Sequence, residues 1–202
     1  MGYDNPEQCN ACPLCEGRTQ VVLPDGPRFG LLAVGEAPGR EEDITGVGFS
    51  GAAGRTLDRV LAEHGIARCG YARTNVVRCR PPGNRRPRRP EIQACSHWLL
   101  HTVQDFAPRV LLTVGHTATR HLLPSWKDNH LERVRALLAQ APARSDLPLY
   151  TGVPVVPMPH TSGLSWNQKL PDNTPVSRLG RAAVTLAASL AAASDNTCKE
   201  ST

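Results

Sequence analysis

The sequence predicts an α/β protein whose parallel sheet is covered by helices on both faces. Short apolar runs, typical of buried parallel strands, alternate along the 202 residues with segments whose apolar residues recur at helical spacing. This alternation favours one sheet between two helical layers. A chain of this length accommodates one such domain, which we place over residues 1–193, followed by a polar tail over 194–202.

Four runs have the length and composition of strands. They cover residues 29–35, 71–77, 110–115 and 153–158. Helical spacing marks five further segments. The predicted helices cover residues 54–64, 91–106, 117–123, 129–140 and 178–193. The rest of the region 124–150 is irregular and contains three prolines, so we interpret it as an excursion from the core.

Composition excludes several classes of protein. No apolar run approaches the roughly 20 residues that a membrane-spanning helix needs, and the N-terminus has no apolar signal core. We therefore expect a cytoplasmic monomer without membrane contact. Seven cysteines in a cytoplasmic chain favour metal binding over disulfides.

Five of the cysteines are candidates for a thiolate site. Cys9 and Cys12 form a C-x-x-C pair that Cys15 extends by the same step, whereas Cys79 and Cys95 lie far along the chain. One close pair and two distant thiols can complete a four-cysteine site for zinc or an iron–sulfur cluster. The alternative is that the two distant thiols are buried as small apolar residues. Four thiolates leave no open coordination position, so the expected role is structural.

Basic residues are concentrated in one segment. Residues 78–90 contain six arginines and no acidic residue, in a chain of net charge +5. Such a cluster favours contact with phosphates or another polyanion. A solvated flexible loop would have the same composition.

Acidic residues follow the first predicted strand. Glu36 comes directly after the strand, and Glu41, Glu42 and Asp43 follow within a loop that glycine and proline punctuate. Ligands of α/β folds bind at the carboxyl ends of the strands. The carboxylates therefore indicate a chemical role, although a solvated acidic loop is the simpler interpretation of residues 41–43.

Several sequence blocks occur together in a specific order. They are CNACPL from residue 9, GEAPGREED from residue 35, GVGFSGAAG from residue 46, TNVVRCRPPGNRRP from residue 74, EIQAC from residue 91 and MPHTS from residue 158. This combination resembles the family-4 uracil-DNA glycosylases, the iron–sulfur branch of that superfamily. The resemblance implies a three-layer α/β/α sandwich with a central four-stranded parallel sheet. It also implies DNA as the partner and excision of uracil, the first step of base excision repair.

The resemblance implies a cofactor as well. It assigns a [4Fe-4S] cluster to Cys9, Cys12, Cys79 and Cys95, with zinc as the alternative. The order Cys12-Pro13-Leu14 matches the family's C-x-L step, so Cys9 is preferred to Cys15 as the fourth ligand.

Three residues match positions that handle the base. Phe49 would stack on a base that has left the helix, and Asn75 would pair with a pyrimidine edge through its amide. His160 would donate a hydrogen bond to the O2 oxygen of the departing pyrimidine. From the residues alone, Phe49 could equally be a core aromatic and Asn75 a turn cap.

Two carboxylates are candidates for positioning water or stabilising the sugar cation. We assign this role first to Glu42, which matches the family's Glu-Asp pair, and second to Glu36. The sequence does not distinguish between them, and Glu41 is interpreted as a solvated bystander.

Four residues are predicted to contact DNA outside the base pocket. Arg85 and Arg86 lie in the basic segment, Ser162 would contact a flanking phosphate, and Leu164 would fill the gap that the extruded base leaves. Trp166 would stack on DNA or pack on the core.

The chain also departs from the family pattern. It has HTS in place of HPS, and GVGFSG lacks the usual Pro before Phe and Val after it. Uracil is the favoured base, with a related deaminated base as the alternative.

The alternative function is a non-catalytic or trapping uracil-DNA-binding protein with a structural metal cluster. A related branch bonds covalently to the sugar through a histidine in the loop after the asparagine. Residues 78–90 contain no histidine, which argues against trapping. The matched blocks contain no lysine that could form a Schiff base, so lyase activity is not expected.

Overall fold

A computed structural model describes residues 5–192, and its centre is a five-stranded sheet in the order β2-β1-β3-β5-β4. The strands are β1 (Leu31–Gly35), β2 (Ala72–Asn75), β3 (Val110–Val114), β4 (Leu149–Tyr150) and β5 (Val153–Met158). Strands β2, β1, β3 and β5 pair in parallel, which confirms the predicted four-stranded parallel sheet. The fifth strand, β4, was not predicted; it is a two-residue edge strand antiparallel to β5.

Eight α-helices surround the sheet in the described part of the chain. They are α1 (Leu14–Gly17), α2 (Arg40–Thr45), α3 (Ala52–Ala62), α4 (Arg89–Phe106), α5 (His116–Leu122), α6 (His130–Ala139), α7 (Gly163–Trp166) and α8 (Val176–Ala191). The five predicted helices are present with ends within two residues of the expected ones. The short helices α1, α2 and α7 were not predicted. Our interpretation of residues 41–43 as part of a loop was wrong, since they lie in α2.

Apolar side chains of the parallel strands divide between two cores. Leu32 and Val34 of β1 belong to a core that includes residues of α4 and α5. Leu31 and Ala33 belong to a second core that includes residues of α3 and α8. Successive strand residues point to opposite faces, so the helices cover both faces of the sheet. This arrangement confirms the predicted three layers.

The predicted polar tail, 194–202, lies outside the described residues, and the domain boundary at residue 193 stays a prediction. Within residues 5–192, no helix combines the length and apolar character needed to cross a membrane.

The parallel strands bring distant residues to one edge of the sheet. Gly35 at the end of β1 is the register partner of Asn75 at the end of β2. β5 ends at Met158, two residues before His160. Because parallel strands end at the same edge, the segments that follow β1, β2 and β5 meet there.

Candidate active site

A cleft of about 440 Å³ opens at the carboxyl edge of the sheet. Seven of the predicted site residues line it. They are Glu36, Glu42, Phe49, Asn75, Arg85, His160 and Ser162. They come from five separate segments of the sequence, and the fold brings them to one place.

Phe49 and Asn75 approach each other over Gly35. A Cβ atom on Gly35 would collide with Oδ1 of Asn75 and would lie 2.8 Å from Cζ of Phe49. The absence of a side chain at this position is therefore what allows the ring and the amide to be neighbours. Asn75 is only 7% exposed, and within residues 5–192 its amide has no hydrogen-bond partner. A buried, unpaired amide at a cleft wall is available to a ligand and is not a turn cap.

The backbone of Phe49 is held in an unusual conformation. Its φ angle is 55°, in the left-handed region that side chains other than glycine rarely adopt. Its carbonyl packs against Gly54, where a Cβ atom would overlap it. The Phe49 ring is 7% exposed and belongs to the second core as well as to the cleft wall. Phe49 is therefore a core aromatic whose side chain also reaches the cleft, where it would be available to a base.

Glu42 is engaged by backbone groups. Oε2 accepts a hydrogen bond from the N–H of Gly39 at 3.0 Å, and Oε1 accepts one from the N–H of Gly51 at 2.8 Å. The carboxylate thus joins the first turn of α2 to the segment that precedes α3. Each oxygen has one backbone partner, so Glu42 helps to hold the wall of the cleft together.

The Glu36 carboxylate makes fewer contacts with protein groups than the Glu42 carboxylate does. Within residues 5–192 it makes no side-chain hydrogen bond, and its one ion pair is to Nε of Arg86 at 3.6 Å. The side chain is 27% exposed and lies close enough to His160 to act electrostatically on that ring. Glu36 is therefore less engaged by protein groups than Glu42, and the ranking of the two carboxylates stays a prediction.

His160 is held in one tautomer by the loop that follows it. The backbone N–H of Ser162 donates to Nδ1 of His160 at 3.0 Å. The neutral ring therefore carries its proton on Nε2, which is free to donate. Burial lowers the pKa of His160, and the nearby Glu36 carboxylate opposes this change. The ring packs so closely on Gly115 that a Cβ there would lie 2.9 Å from its Cδ2.

The excursion 124–150 supports the strand that leads to His160. Nε1 of Trp126 donates to Nδ1 of His130 at 3.1 Å, so neutral His130 carries its proton on Nε2. That nitrogen lies 3.1 Å from the carbonyl oxygen of Met158. Burial lowers the pKa of His130 to about 4, and the ring is neutral at pH 7. The excursion is thus attached to the end of β5.

Two residues of α7 have opposite environments. Leu164 is 84% exposed and lies two residues after Ser162, which lines the cleft. Trp166 is buried and packs on Gly180 of α8, where even a Cβ atom would collide with the ring. Trp166 therefore fixes the loop to the core, and of the two interpretations of Trp166 the core one is correct.

The arginines of the segment 78–90 do not form one uniform surface. Arg85 makes two hydrogen bonds to the buried carboxylate of Glu91, at 2.9 and 2.6 Å. Arg78 is buried, donating to the carbonyl of Trp98 at 3.0 Å, with its guanidinium over the Trp98 ring. Arg86 is 69% exposed beside the cleft. Of these arginines, Arg86 is the best placed to meet a phosphate.

The cysteines predicted to bind a metal lie around one small pocket, which the N-terminal segment, the segment after β2 and α4 form. Cys9, Cys12, Cys79 and Cys95 line it, and so does Cys15. Burial raises the pKa of the Cys12 and Cys79 thiols and raises that of Cys95 to about 11. Within the described ranges, no three His, Cys, Asp or Glu side chains converge on a point where one metal ion would fit.

Two guanidinium groups, those of Arg18 and Arg78, interact with these thiols. Nη1 of Arg18 donates to Sγ of Cys79 at 3.3 Å and to the carbonyl of Cys9 at 2.7 Å. The buried guanidinium of Arg78 interacts electrostatically with Cys9, Cys79 and Cys95. Sequence reasoning missed Arg18, because its contact with Cys79 spans 61 residues and leaves no local pattern.

Comparison with known proteins agrees with the α/β fold. The pattern of the uracil DNA glycosylase superfamily matches residues 24–180. A type-4 uracil-DNA glycosylase of Thermotoga maritima is 45% identical over 113 residues, which are 55% of this chain and 59% of that protein. The enzyme of the same name from Pyrobaculum aerophilum is 39% identical over 118 residues, 58% of this chain and 60% of the relative.

A type-4 uracil-DNA glycosylase of Sulfurisphaera tokodaii is 39% identical over 123 residues, 60% of this chain and 56% of the relative. The matched part of the chain thus spans somewhat over half the length of these curated relatives. The superfamily match covers most of the chain and includes the whole cleft. This chain belongs to the uracil DNA glycosylase superfamily.

Proposed function

We propose that this protein is a monofunctional DNA glycosylase that flips uracil out of DNA and hydrolyses its N-glycosidic bond, initiating base excision repair. One observation carries the proposal. The aromatic ring of Phe49, the unpaired amide of Asn75, the imidazole of His160 and the carboxylate of Glu36 line a single cleft. The type-4 uracil-DNA glycosylases to which the chain is similar support the choice of base.

Recognition of the base would rest on Phe49 and Asn75. A flipped base stacks on an aromatic ring, and the pyrimidine edge of uracil offers both a donor and an acceptor. An amide can satisfy both at once. Because Gly35 brings the ring and the amide together, stacking and edge recognition act on the same base.

Hydrolysis breaks the bond between C1′ of the sugar and N1 of uracil, and the electron pair leaves with the base. The Nε2–H of neutral His160 would donate to O2 of uracil, where negative charge accumulates. Glu36 would stabilise the cationic sugar and accept the proton of the water whose oxygen bonds to C1′. Glu42 would hold the two loops of the cleft in place.

Contact with DNA would come from the rim of the cleft. Leu164 is exposed and lies in α7, which Trp166 fixes to the core, so it would occupy the space that the extruded base vacates. Arg86 and Ser162 would contact flanking phosphates. Arg85 would act mainly through Glu91, which keeps the basic segment in position.

The chemistry is that of a simple hydrolase. None of the described lysines lines the cleft, so no amine is in place to form a Schiff base with the sugar. None of residues 78–90 is a histidine that could capture the sugar. Both observations favour a monofunctional enzyme over a lyase or a trapping protein.

A [4Fe-4S] cluster would be held by Cys9, Cys12, Cys79 and Cys95, which line one pocket and whose thiolates are the donors that such a cluster takes. Zinc needs four sulfurs at about 2.3 Å from one ion, whereas each cysteine of a [4Fe-4S] cluster binds a different iron. The four thiols share one pocket, and iron, sulfide and zinc analysis decides between the two groups. Arg18 and Arg78 would offset the negative charge of the thiolates. The cluster's role would be to attach the N-terminal segment to β2 and α4.

The test is incubation of the protein with an end-labelled oligonucleotide that carries one uracil, in single-stranded and duplex form. We expect strand cleavage only after alkali, because the enzyme leaves an abasic site. The same oligonucleotide with thymine and the variant Asn75→Ala are the controls, and both should remain intact. Oligonucleotides with hypoxanthine or xanthine determine whether a deaminated purine is also accepted.

Three other outcomes decide against parts of the proposal. Intact strands at stoichiometric protein would exclude a glycosylase that acts on uracil. Cleavage without alkali would indicate a lyase. A protein–DNA adduct that survives denaturing electrophoresis would indicate a trapping protein.

A further inference from the structure

The loop that carries Phe49 is held by a residue outside the cleft. Nη2 of Arg68 donates to the carbonyl of Gly48 at 2.7 Å, and Nη1 donates to the carbonyl of Phe49 at 3.0 Å. Arg68 lies in the turn that precedes β2, and it does not line the cleft. One guanidinium therefore binds two successive carbonyls at the point where the backbone enters the left-handed region.

The guanidinium of Arg68 is itself fixed. Nη1 also donates to Oδ2 of Asp58 on α3 at 2.8 Å, and the hydroxyl of Tyr71 donates to Oδ1 of the same carboxylate at 2.6 Å. Burial and the bond to Asp58 raise the pKa of Tyr71, which keeps its hydroxyl protonated. The side chains of Arg68 and Asp58 are 34% and 23% exposed, so this ion pair is only partly screened by water.

The conformation of Phe49 calls for such support. A non-glycine residue at positive φ is strained and persists only where its surroundings hold it. Gly54 gives the Phe49 carbonyl the space it needs but forms no directional bond to it. The bonds from Arg68 supply direction, because a planar guanidinium fixes two acceptors relative to each other.

From this arrangement we infer that Arg68 is a positioning residue: it holds Gly48 and Phe49 so that the Phe49 ring faces the cleft, and Asp58 and Tyr71 orient its guanidinium. The inference rests on the proposed role of Phe49 in stacking. It extends the functional network to three residues that belong to none of the blocks that identified the chain.

A double-mutant cycle on uracil release tests the inference. Arg68→Met should lower kcat/KM about tenfold or more, because the ring is no longer held over the base. In a Phe49→Ala background the same substitution should change kcat/KM less than about twofold, since no ring remains to be positioned. Arg68→Lys should recover part of the activity, because an ammonium group can still reach one of the carbonyls.

Arg28→Met is the matched control. Arg28 also forms an ion pair with an aspartate, Asp105, but it contacts neither the cleft nor the Phe49 loop. Assays are run at a temperature where urea titration shows every variant to be folded. An Arg68→Met effect of equal size with and without Phe49 would overturn the inference, as would an equal loss in Arg28→Met.

A second readout does not depend on activity. Hydrogen exchange of a peptide covering residues 45–52 should become faster in Arg68→Met than in wild type or Arg28→Met, because the loop loses two hydrogen bonds. Unchanged exchange would contradict the inference even in an active enzyme. If wild type released no uracil, the proposed function would fail while this exchange experiment would still decide whether Arg68 holds the loop.

Discussion

Oε1 of Glu42 accepts a hydrogen bond from the backbone N–H of Gly51 at 2.8 Å, which joins the helix after β1 to the loop that carries Phe49. The other oxygen of Glu42 binds the N–H of Gly39. The carboxylate that the sequence motif favours for catalysis thus also holds the cleft together, whereas Glu36, which we propose as the catalytic carboxylate, has only its long ion pair to Arg86 among the described residues.

Glu42→Gln should destabilise the fold by ~1–2 kcal/mol, because the new amide NH₂ group faces a backbone N–H that loses its acceptor. The urea midpoint measures this loss. Glu41→Gln is the matched control: Glu41 is exposed and its ion pair with Arg55 is at the surface, so the midpoint should change little. Equal midpoints for Glu42→Gln and wild type would contradict the structural role of Glu42.

Glu36→Gln should lower kcat by about 10²–10³-fold, since the amide cannot stabilise a cationic sugar or accept a proton from water. The urea midpoint should stay near that of wild type, because the carboxylate has only its long ion pair to Arg86 among the described residues. Single-turnover kinetics with excess enzyme measures the chemical step. A larger loss of turnover in folded Glu42→Gln than in Glu36→Gln would restore the ranking that the sequence motif favoured.

The pH dependence of kcat/KM should show an acid limb from His160. Burial places the pKa of His160 below its ordinary value of 6.5, so the ring is neutral at pH 7 and becomes charged only as the pH falls below that value. Protonation occurs at Nδ1, where the N–H of Ser162 already donates, and it breaks this bond. The limb should therefore have its midpoint below pH 6.5.

The variant His160→Gln tests whether the acid limb of the kcat/KM profile belongs to His160. Glutamine can still donate but does not titrate, so the limb that belongs to His160 should disappear while kcat falls by about 10²-fold. An unchanged pH profile in this variant would assign the limb to another group, and a midpoint above 6.5 in wild type would contradict the effect of burial.

Leu164→Ala should lower kcat/KM for duplex substrate much more than for single-stranded substrate. A base in a duplex leaves a gap that an apolar side chain must fill, whereas single-stranded DNA has no such gap. Leu164 is almost fully exposed, so the free energy of unfolding should change by less than about 0.5 kcal/mol. Trp166→Ala should instead destabilise the fold, because the ring packs on Gly180. Equal losses on both substrates in Leu164→Ala would argue against a wedge.

Much of the fold could be predicted because it depends on local patterns. The sequence shows apolar runs at β1, β2, β3 and β5 and helical periodicity at α4 and α8. The alternation of such strands with helices predicted the parallel pairing and the three layers. The short helices α2 and α7 have too few residues to show a period, and β4 has only two. Their formation depends on tertiary contacts, such as those of Glu42 with Gly39 and Gly51.

The candidate site was also predictable only in part. Motif blocks identified the residues that line the cleft, but not what each side chain binds. Whether a carboxylate is free or engaged, as for Glu36 and Glu42, is set by partners up to 50 residues away. Arg68 illustrates this limit, because its bonds to Gly48 and Phe49 span 20 and 19 residues.

Iron content should distinguish the two cysteines that compete for the fourth ligand position. Cys9→Ser should lose most of its iron, whereas Cys15→Ser should retain a full complement, because Cys9 acts electrostatically on Cys12, Cys79 and Cys95. Iron and sulfide analysis together with the visible absorption of thiolate-bound iron measure this. Iron loss in Cys15→Ser alone would reverse the assignment, and a colourless wild-type protein containing zinc would exclude the cluster.

The most direct test of the whole account is chromatographic detection of free uracil after incubation of labelled uracil-containing DNA with stoichiometric wild-type protein. If the cleft of Glu36, Phe49, Asn75 and His160 is a glycosylase active site, one free uracil should appear for each uracil in the DNA, and the strands should remain unbroken until alkali is added. Absence of free uracil from a folded protein with an intact cluster would contradict the account.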